Sequence, residues 1–238
     1  MAISAKLASA LFSQKPEGVP ASSHILALPS NDMANAISTD VEAELFAATL
    51  SYAEGVRSLD GGNVSWAAVK LYYSVFYCMR TAMLLSDVIN FHSKRFYLCD
   101  ARTGRISTGS SSSHEWSWPA IRGFARLRGS IFSSESENAY ARLKIIRESA
   151  NYKESFPDPT LPRHFYYVGV NGTSKAFRAY RDDGDRILTY LDEHLAFAYP
   201  TQTVFETVKI AKDAGVEISP DREAQVRRTW PLRDSPPV

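Results

Sequence analysis

The stretch Trp66-Ala-Ala-Val-Lys-Leu-Tyr-Tyr-Ser-Val-Phe-Tyr-Cys-Met-Arg-Thr-Ala-Met-Leu-Leu85 decides the fold. It contains neither Gly nor Pro, and only Lys70 and Arg80 are charged. Apolar side chains fall on every side of a 3.6-residue turn, so a helix here needs cover on several sides. The spacing predicts the central helix of a mainly α-helical protein. Asn63 or Ser65 is placed to cap its start.

Upstream, Thr39 followed by Glu42 is a capping-box pattern. It predicts a helix from Asp40 to Leu59, ended by Asp60-Gly61-Gly62. Residues 13–38 hold Pro16, Gly18, Pro20 and Pro29 and read as loop or extended chain. Met1 to Phe12 reads as a short helix or loose arm, so residues 1–38 form an expected N-terminal arm. Downstream, residues 95–108 read as a small β-hairpin insertion with Gly104 at its turn. Ser110 to Ser113 is a polar loop. Helices are predicted over Trp118–Arg128, Ser134–Glu154, Thr173–Tyr199 (with Gly184 as an interruption) and Thr203–Ala214. Residues 163–170 read as a short strand or extended crossing. The expected organisation is a helical domain over 39–215 and a flexible C-terminal tail over 216–238.

Composition narrows the function classes. Lys and Arg number 27 against 26 Asp and Glu, for a net charge of +1. A general nucleic-acid coat carries more excess base, so any polyanion contact must be local. Two cysteines, Cys78 and Cys99, make neither a disulfide framework nor a metal-ligand pattern. Cys78 sits in an apolar helical pattern as a small core residue. No cofactor or metal is expected. No apolar run reaches the ~18 residues that cross a bilayer, and no leader pattern opens the chain. A reducing, cytoplasmic setting without membrane attachment follows.

Two segments carry a further signal. The first is Trp66, Tyr72-Tyr73, Phe76, then Ala82, Leu84 and Leu85, with His92 soon after. The second is Arg147-Glu148-Ser149-Ala150-Asn151-Tyr152. Their order and composition resemble the HEPN family, in which a helix with Trp and paired Tyr precedes an Arg-x-x-Ala-Asp/Asn-Tyr helix. The resemblance spans roughly residues 40–198 and is strongest over 63–92 and 139–153. It implies an up-and-down helical bundle that often forms a homodimer. It also implies kinship with metal-independent ribonucleases of toxin–antitoxin and antiviral defence systems. In those enzymes an Arg, four to six further residues and a His serve catalysis. The Arg stabilises charge on the phosphate and the His moves protons. Here Tyr152, Lys153 and Glu154 stand where that His would be. His92 and His114 are the candidates for a displaced one.

The catalytic candidates are Arg147, Asn151 and Tyr152. Arg147 and Asn151 are four residues apart and share a helix face. Between Arg122 and Lys153 seven basic residues stand against three acidic ones. The RNA- or phosphate-binding candidates are Lys70, Arg80, Arg122, Arg126 and Lys144. Two functions remain open. One is an RNA-directed, HEPN-like protein, with ribonuclease activity from a degenerate motif. The other is a non-catalytic helical adaptor or nucleotide-binding module for a protein partner encoded nearby. In the second case Arg147 ties helices together and Asn151 satisfies a backbone group.

Overall fold

A computed structural model describes residues 2–18, 20–108, 118–127, 129–151 and 161–238. The chain is mainly helical, with one three-stranded antiparallel sheet in the order β1-β2-β3. The helices are α1 (Ile3–Ser13), α2 (Ser30–Asp60), α3 (Val64–Leu85), α4 (Trp118–Arg122), α5 (Ser134–Asn151), α6 (Tyr166–Asn171), α7 (Thr173–Arg181), α8 (Asp192–Asp213) and α9 (Pro220–Thr229). The strands are β1 (Val88–Ser93), β2 (Arg95–Asp100) and β3 (Ile106–Thr108). The chain divides into two compact units. The first comprises Met1–Glu44 and Met79–Phe132, the second Leu45–Cys78 and Ser133–Val238.

In the first unit, α2 starts at Ser30, not at the capping box. Met33 N–H donates to the Pro29 carbonyl at 2.9 Å, and Asp32 lies in the first turn. Thr39 sits inside the helix and donates its hydroxyl to the Asn35 carbonyl at 3.0 Å. That i−4 bond lets a Thr-x-x-Glu pattern occur without a helix start. Asp40, only 4% exposed, caps another helix. Its carboxylate accepts Ile3 N–H at 2.8 Å, Ser4 N–H at 2.7 Å and Ser4 Oγ–H at 2.6 Å. These are orphan donors at the start of α1, so the expected arm is a docked helix. Phe12 of α1 packs on the rings of Phe91 and Tyr97, at 5.4 and 4.8 Å between centroids.

The expected hairpin is present as β2–β3, with Cys99 opposite Ile106. Strand β1 was not expected. It pairs with β2, with Phe91 opposite Tyr97 and His92 opposite Phe96. Gly104 has φ +68°, and a Cβ there would run into the Leu26 carbonyl oxygen. Leu26 N–H donates to the Gly104 carbonyl at 3.0 Å, and Ile25 bridges Arg105. The glycine is therefore required by the turn and by the chain that crosses it. The helix expected to reach Arg128 stops at Arg122, just before Gly123, and a 3₁₀ turn follows over Ala125–Leu127.

In the second unit, α3 starts as expected, with Trp66 N–H donating to Asn63 Oδ1 at 3.1 Å. Residues 163–170 are not a strand. A 3₁₀ turn (Leu161–Phe165) leads into α6. Phe165 and Val168 are both buried, at helical spacing. The helix expected over 173–199 breaks after α7. Asp183 accepts both the N–H of Thr189 at 2.9 Å and its hydroxyl at 2.8 Å, which fixes the intervening turn. Helix α8 then runs through Pro200 to Asp213. It ends in a Schellman turn at Gly215 (φ +76°), with Gly215 N–H on the Lys212 carbonyl and Val216 N–H on that of Ala211, both at 2.9 Å.

Residues 216–238, expected to be a flexible tail, carry α9 and a docked end. Trp230 is buried, stacked on Tyr52 at 5.9 Å and edge-on to Phe177 at 5.2 Å. Its Nε1–H donates to the Asp234 carbonyl, and the Asp234 carboxylate accepts Arg178 at 3.1 Å. Arg57 reaches the Arg228 carbonyl at 2.8 Å. No helix is long and apolar enough to cross a membrane among the described residues.

The docked end has a measurable consequence. Trp230→Ala removes a buried aromatic and should cost about 3–5 kcal/mol in urea unfolding. A mobile tail would shift stability by no more than about 0.5 kcal/mol.

Candidate functional site

Helix α5 sets the position of Arg147. Ala139, Tyr140, Leu143, Ile146 and Arg147 recur at helical spacing, and all five are buried. The stripe that packs α5 into the second unit therefore includes Arg147, which is 6% exposed. Its guanidinium carbon lies 4.7 Å from the ring centroid of Tyr72 on α3. The Tyr72 hydroxyl shares a 2.7 Å hydrogen bond with that of Tyr140, about two α5 turns from Arg147. Glu148 Oε1 stands 3.5 Å from Arg147 Nη2 and 3.9 Å from Lys144 Nζ.

The electrostatics agree with enclosure. Burial pushes the Tyr72 phenol up to about 12, while the Tyr140 hydrogen bond and the Arg147 charge pull the other way. Tyr72 thus stays protonated and can donate to Tyr140. A guanidinium on a tyrosine face away from water gains up to about 2 kcal/mol. The arrangement suits Arg147 to tying α5 to α3. A phosphate clamp would need the fork of donors turned to solvent. Asn151 ends α5, and its side chain, with Tyr152, lies outside the described residues.

The other candidate cations are distributed over both units. In the second unit, Lys70 pairs with Glu54 at 2.5 Å and lies over the Trp66 ring at 5.1 Å. In the first, Arg80 pairs with Glu44 at 2.6 Å. Burial raises the Glu44 carboxyl above its ordinary value, against the opposing pull of Arg80. Arg126 spans Asp100 at 2.9 Å and the Ser86 carbonyl at 2.9 Å. Arg122 is exposed at the end of α4. Lys70, Arg80 and Arg126 are thus each neutralised by a carboxylate within hydrogen-bonding distance.

Of the histidines considered for catalysis, His92 is exposed on β1 in the first unit, and His114 lies outside the described residues. A pair that sequence did not single out is Tyr180 and His194, joined at 2.8 Å through Nδ1. Tyr167 packs edge-on to the same imidazole at 5.0 Å. Also unforeseen is a cavity of about 290 Å³ lined by Leu45, Val208, Lys212, Ile218, Glu223 and Val238. Six of its nine lining residues come from the segment read as a tail. Among the described residues, no group of three or more His, Cys, Asp or Glu is placed to hold a metal ion.

The geometry defines a mainly helical protein with a three-stranded sheet, in which the signature arginine is part of a packed tyrosine–guanidinium cluster. Comparison with protein-family models, characterised proteins and solved structures returns no match.

Two outcomes check the cluster and the core. Arg147→Ala should destabilise the protein by about 2 kcal/mol, since it removes the guanidinium stacked on Tyr72 and leaves that ring uncovered. Arg147→Lys should also cost stability, because an ammonium lacks the planar face. Burial pushes both thiols, Cys78 and Cys99, up to about 12. At pH 8 neither should react with a thiol reagent until the chain unfolds, and a fast-reacting native thiol would contradict the buried placement.

Proposed function

We propose that the chain is a non-catalytic helical adaptor that binds a protein partner. The observation that carries this is the enclosure of the Arg147 guanidinium on the Tyr72 ring. Transition-state stabilisation of a phosphate needs donors aimed at the site where charge develops. A side chain held inside the helical packing does not offer them. No His follows Arg147 at the spacing ribonuclease chemistry uses, which supports the same view.

An RNA-directed role in bacterial defence or a toxin–antitoxin pair, as a homodimer of HEPN-like bundles, is the competing proposal. It has the sequence resemblance and the local excess of base in its favour, with Arg122 exposed.

The two separate in one assay. Purified protein is incubated with total RNA in EDTA, beside Arg147→Lys. The adaptor proposal expects no cleavage above buffer from either. It also expects a stoichiometric complex on co-expression with the product of a neighbouring gene. Cleavage by the wild type that Arg147→Lys abolishes, with the helical signal retained, would restore the ribonuclease.

A further inference from the structure

We infer that the tip of the β1–β2 hairpin is a docking point for an acidic, aromatic-bearing segment of a partner protein. The inference rests on the adaptor proposal for the kind of partner, and it concerns residues of the first unit alone. The tip reads Phe91-His92-Ser93-Lys94-Arg95-Phe96.

Ion pairing within the first unit is selective. Arg80, Arg102 and Arg126 are held by Glu44, Asp87 and Asp100. Lys94 and Arg95 are exposed, and among the described residues neither meets a carboxylate. The neighbouring element does not cancel their field. Helix α1 packs against β1, with Ser9 Oγ–H donating to the His92 carbonyl at 2.9 Å. It has no acidic residue from Ile3 to Ser13, and it adds Lys6. Two adjacent cations with an acid-free flank attract a negative partner over roughly a Debye length.

Two features define the form of the tip. Lys94 adopts φ +63°, a left-handed conformation that costs a non-glycine residue about 1 kcal/mol or more. Gly or Asn would take the same turn with less strain, yet a cation stands there. Beside it, His92 and Phe96 form a cross-strand pair, with ring centroids 4.8 Å apart. The exposed imidazole and the half-buried phenyl, tilted by 57° to each other, form an aromatic pair next to the cations. The hairpin register fixes their spacing.

The number of charges decides the class of partner. Nucleic-acid affinity grows with the count of phosphates neutralised. The tip supplies two full cations on a chain of net charge +1. That is sparse for a nucleic-acid strand and sufficient for a short acidic motif, where an apolar anchor supplies the rest of the binding.

The test uses the full-length chain, labelled with nitrogen-15. The probe is a synthetic peptide of about twelve residues, rich in Asp and Glu, with one Trp. Its controls are an Asn/Gln counterpart, a Trp→Ser counterpart and a single-stranded RNA of similar length. Expected are saturable shifts at the amides of residues 92–96, and affinity that falls between about 50 and about 200 mM salt. Lys94→Glu with Arg95→Glu should weaken the acidic peptide at least tenfold, while Lys212→Glu on α8 changes it less than twofold. Both positions are exposed, and thermal unfolding checks that the double variant folds. Should it unfold, Arg95→Gln alone replaces it, with an expected loss of at least threefold. The Trp→Ser peptide should bind more weakly than its parent. The proposal is overturned by an absence of saturable shifts or by equal binding of the Asn/Gln or Trp→Ser peptide. Tighter binding of the RNA to the same amides, or an equal loss with Lys212→Glu, also overturns it. Failure of the adaptor itself would show separately, as RNA cleavage or as no complex with a neighbouring gene product.

Discussion

Helix α3 must be covered nearly all the way round. Ala67, Ala68, Leu71, Tyr72, Val75, Cys78 and Met79 are fully buried, and Ser74 and Thr81 are buried with them. No single partner helix can bury so many faces, since a helix–helix contact covers one stripe. In the second unit the cover includes α5, whose Tyr140 bonds Tyr72, and α8, whose Thr207 hydroxyl meets the Cys78 thiol. In the first unit α3 ends with Ser86 and Asp87 bonded back to its last carbonyls. Asp87 takes φ +57°, and the chain turns at once into β1. Within the second unit, the α3 residues up to Cys78 form a hydrophobic hub.

Arg147 belongs to that hub. A guanidinium can be taken out of water when an aromatic face and hydrogen-bond acceptors replace its hydration. Tyr72 supplies the face, and Glu148 lies at the edge of the same cluster. Catalysis and packing make opposite demands on one side chain here. A catalytic arginine keeps its fork free for a ligand. This one is committed to the interior, so the sequence resemblance around it is equally well served by a structural need. An Arg one turn above an Ala-Asn pair on a helix that must meet a tyrosine-rich neighbour satisfies packing without any substrate.

What sequence revealed and what it did not have one physical cause. Local signals were legible where the responsible groups lie near in sequence. The Asn63 cap, the apolar body of α3 and the Gly104 turn are of this kind. Signals were lost where the partner is remote. Asp40 looks like the first residue of a helix, but its carboxylate serves Ile3 and Ser4. Thr39 is a local exception, since it looks like a cap but donates its hydroxyl to the Asn35 carbonyl four residues back. The segment after Gly215 is polar and Pro-rich, and only Tyr52 and Phe177, far away in the chain, make Trp230 a core residue. The burial of Arg147 was hidden for the same reason. Periodicity put it on a face with Asn151, but only the position of Tyr72 shows that the face turns inward.

Charge, then, has to be judged by pairing and not by composition. The region from Arg122 to Lys153 carries seven basic residues against three acidic ones, and on that ground it attracts a polyanion interpretation. Yet Arg126 is matched to Asp100, Lys144 lies within 3.9 Å of Glu148, and Arg147 is enclosed. Each carboxylate in reach cancels most of the field a distant phosphate would feel. Lys94 and Arg95 lie outside that region, exposed at the surface. A long-range field depends on what is left uncancelled. On that criterion the hairpin tip, with two adjacent exposed cations, is an electropositive feature of the first unit.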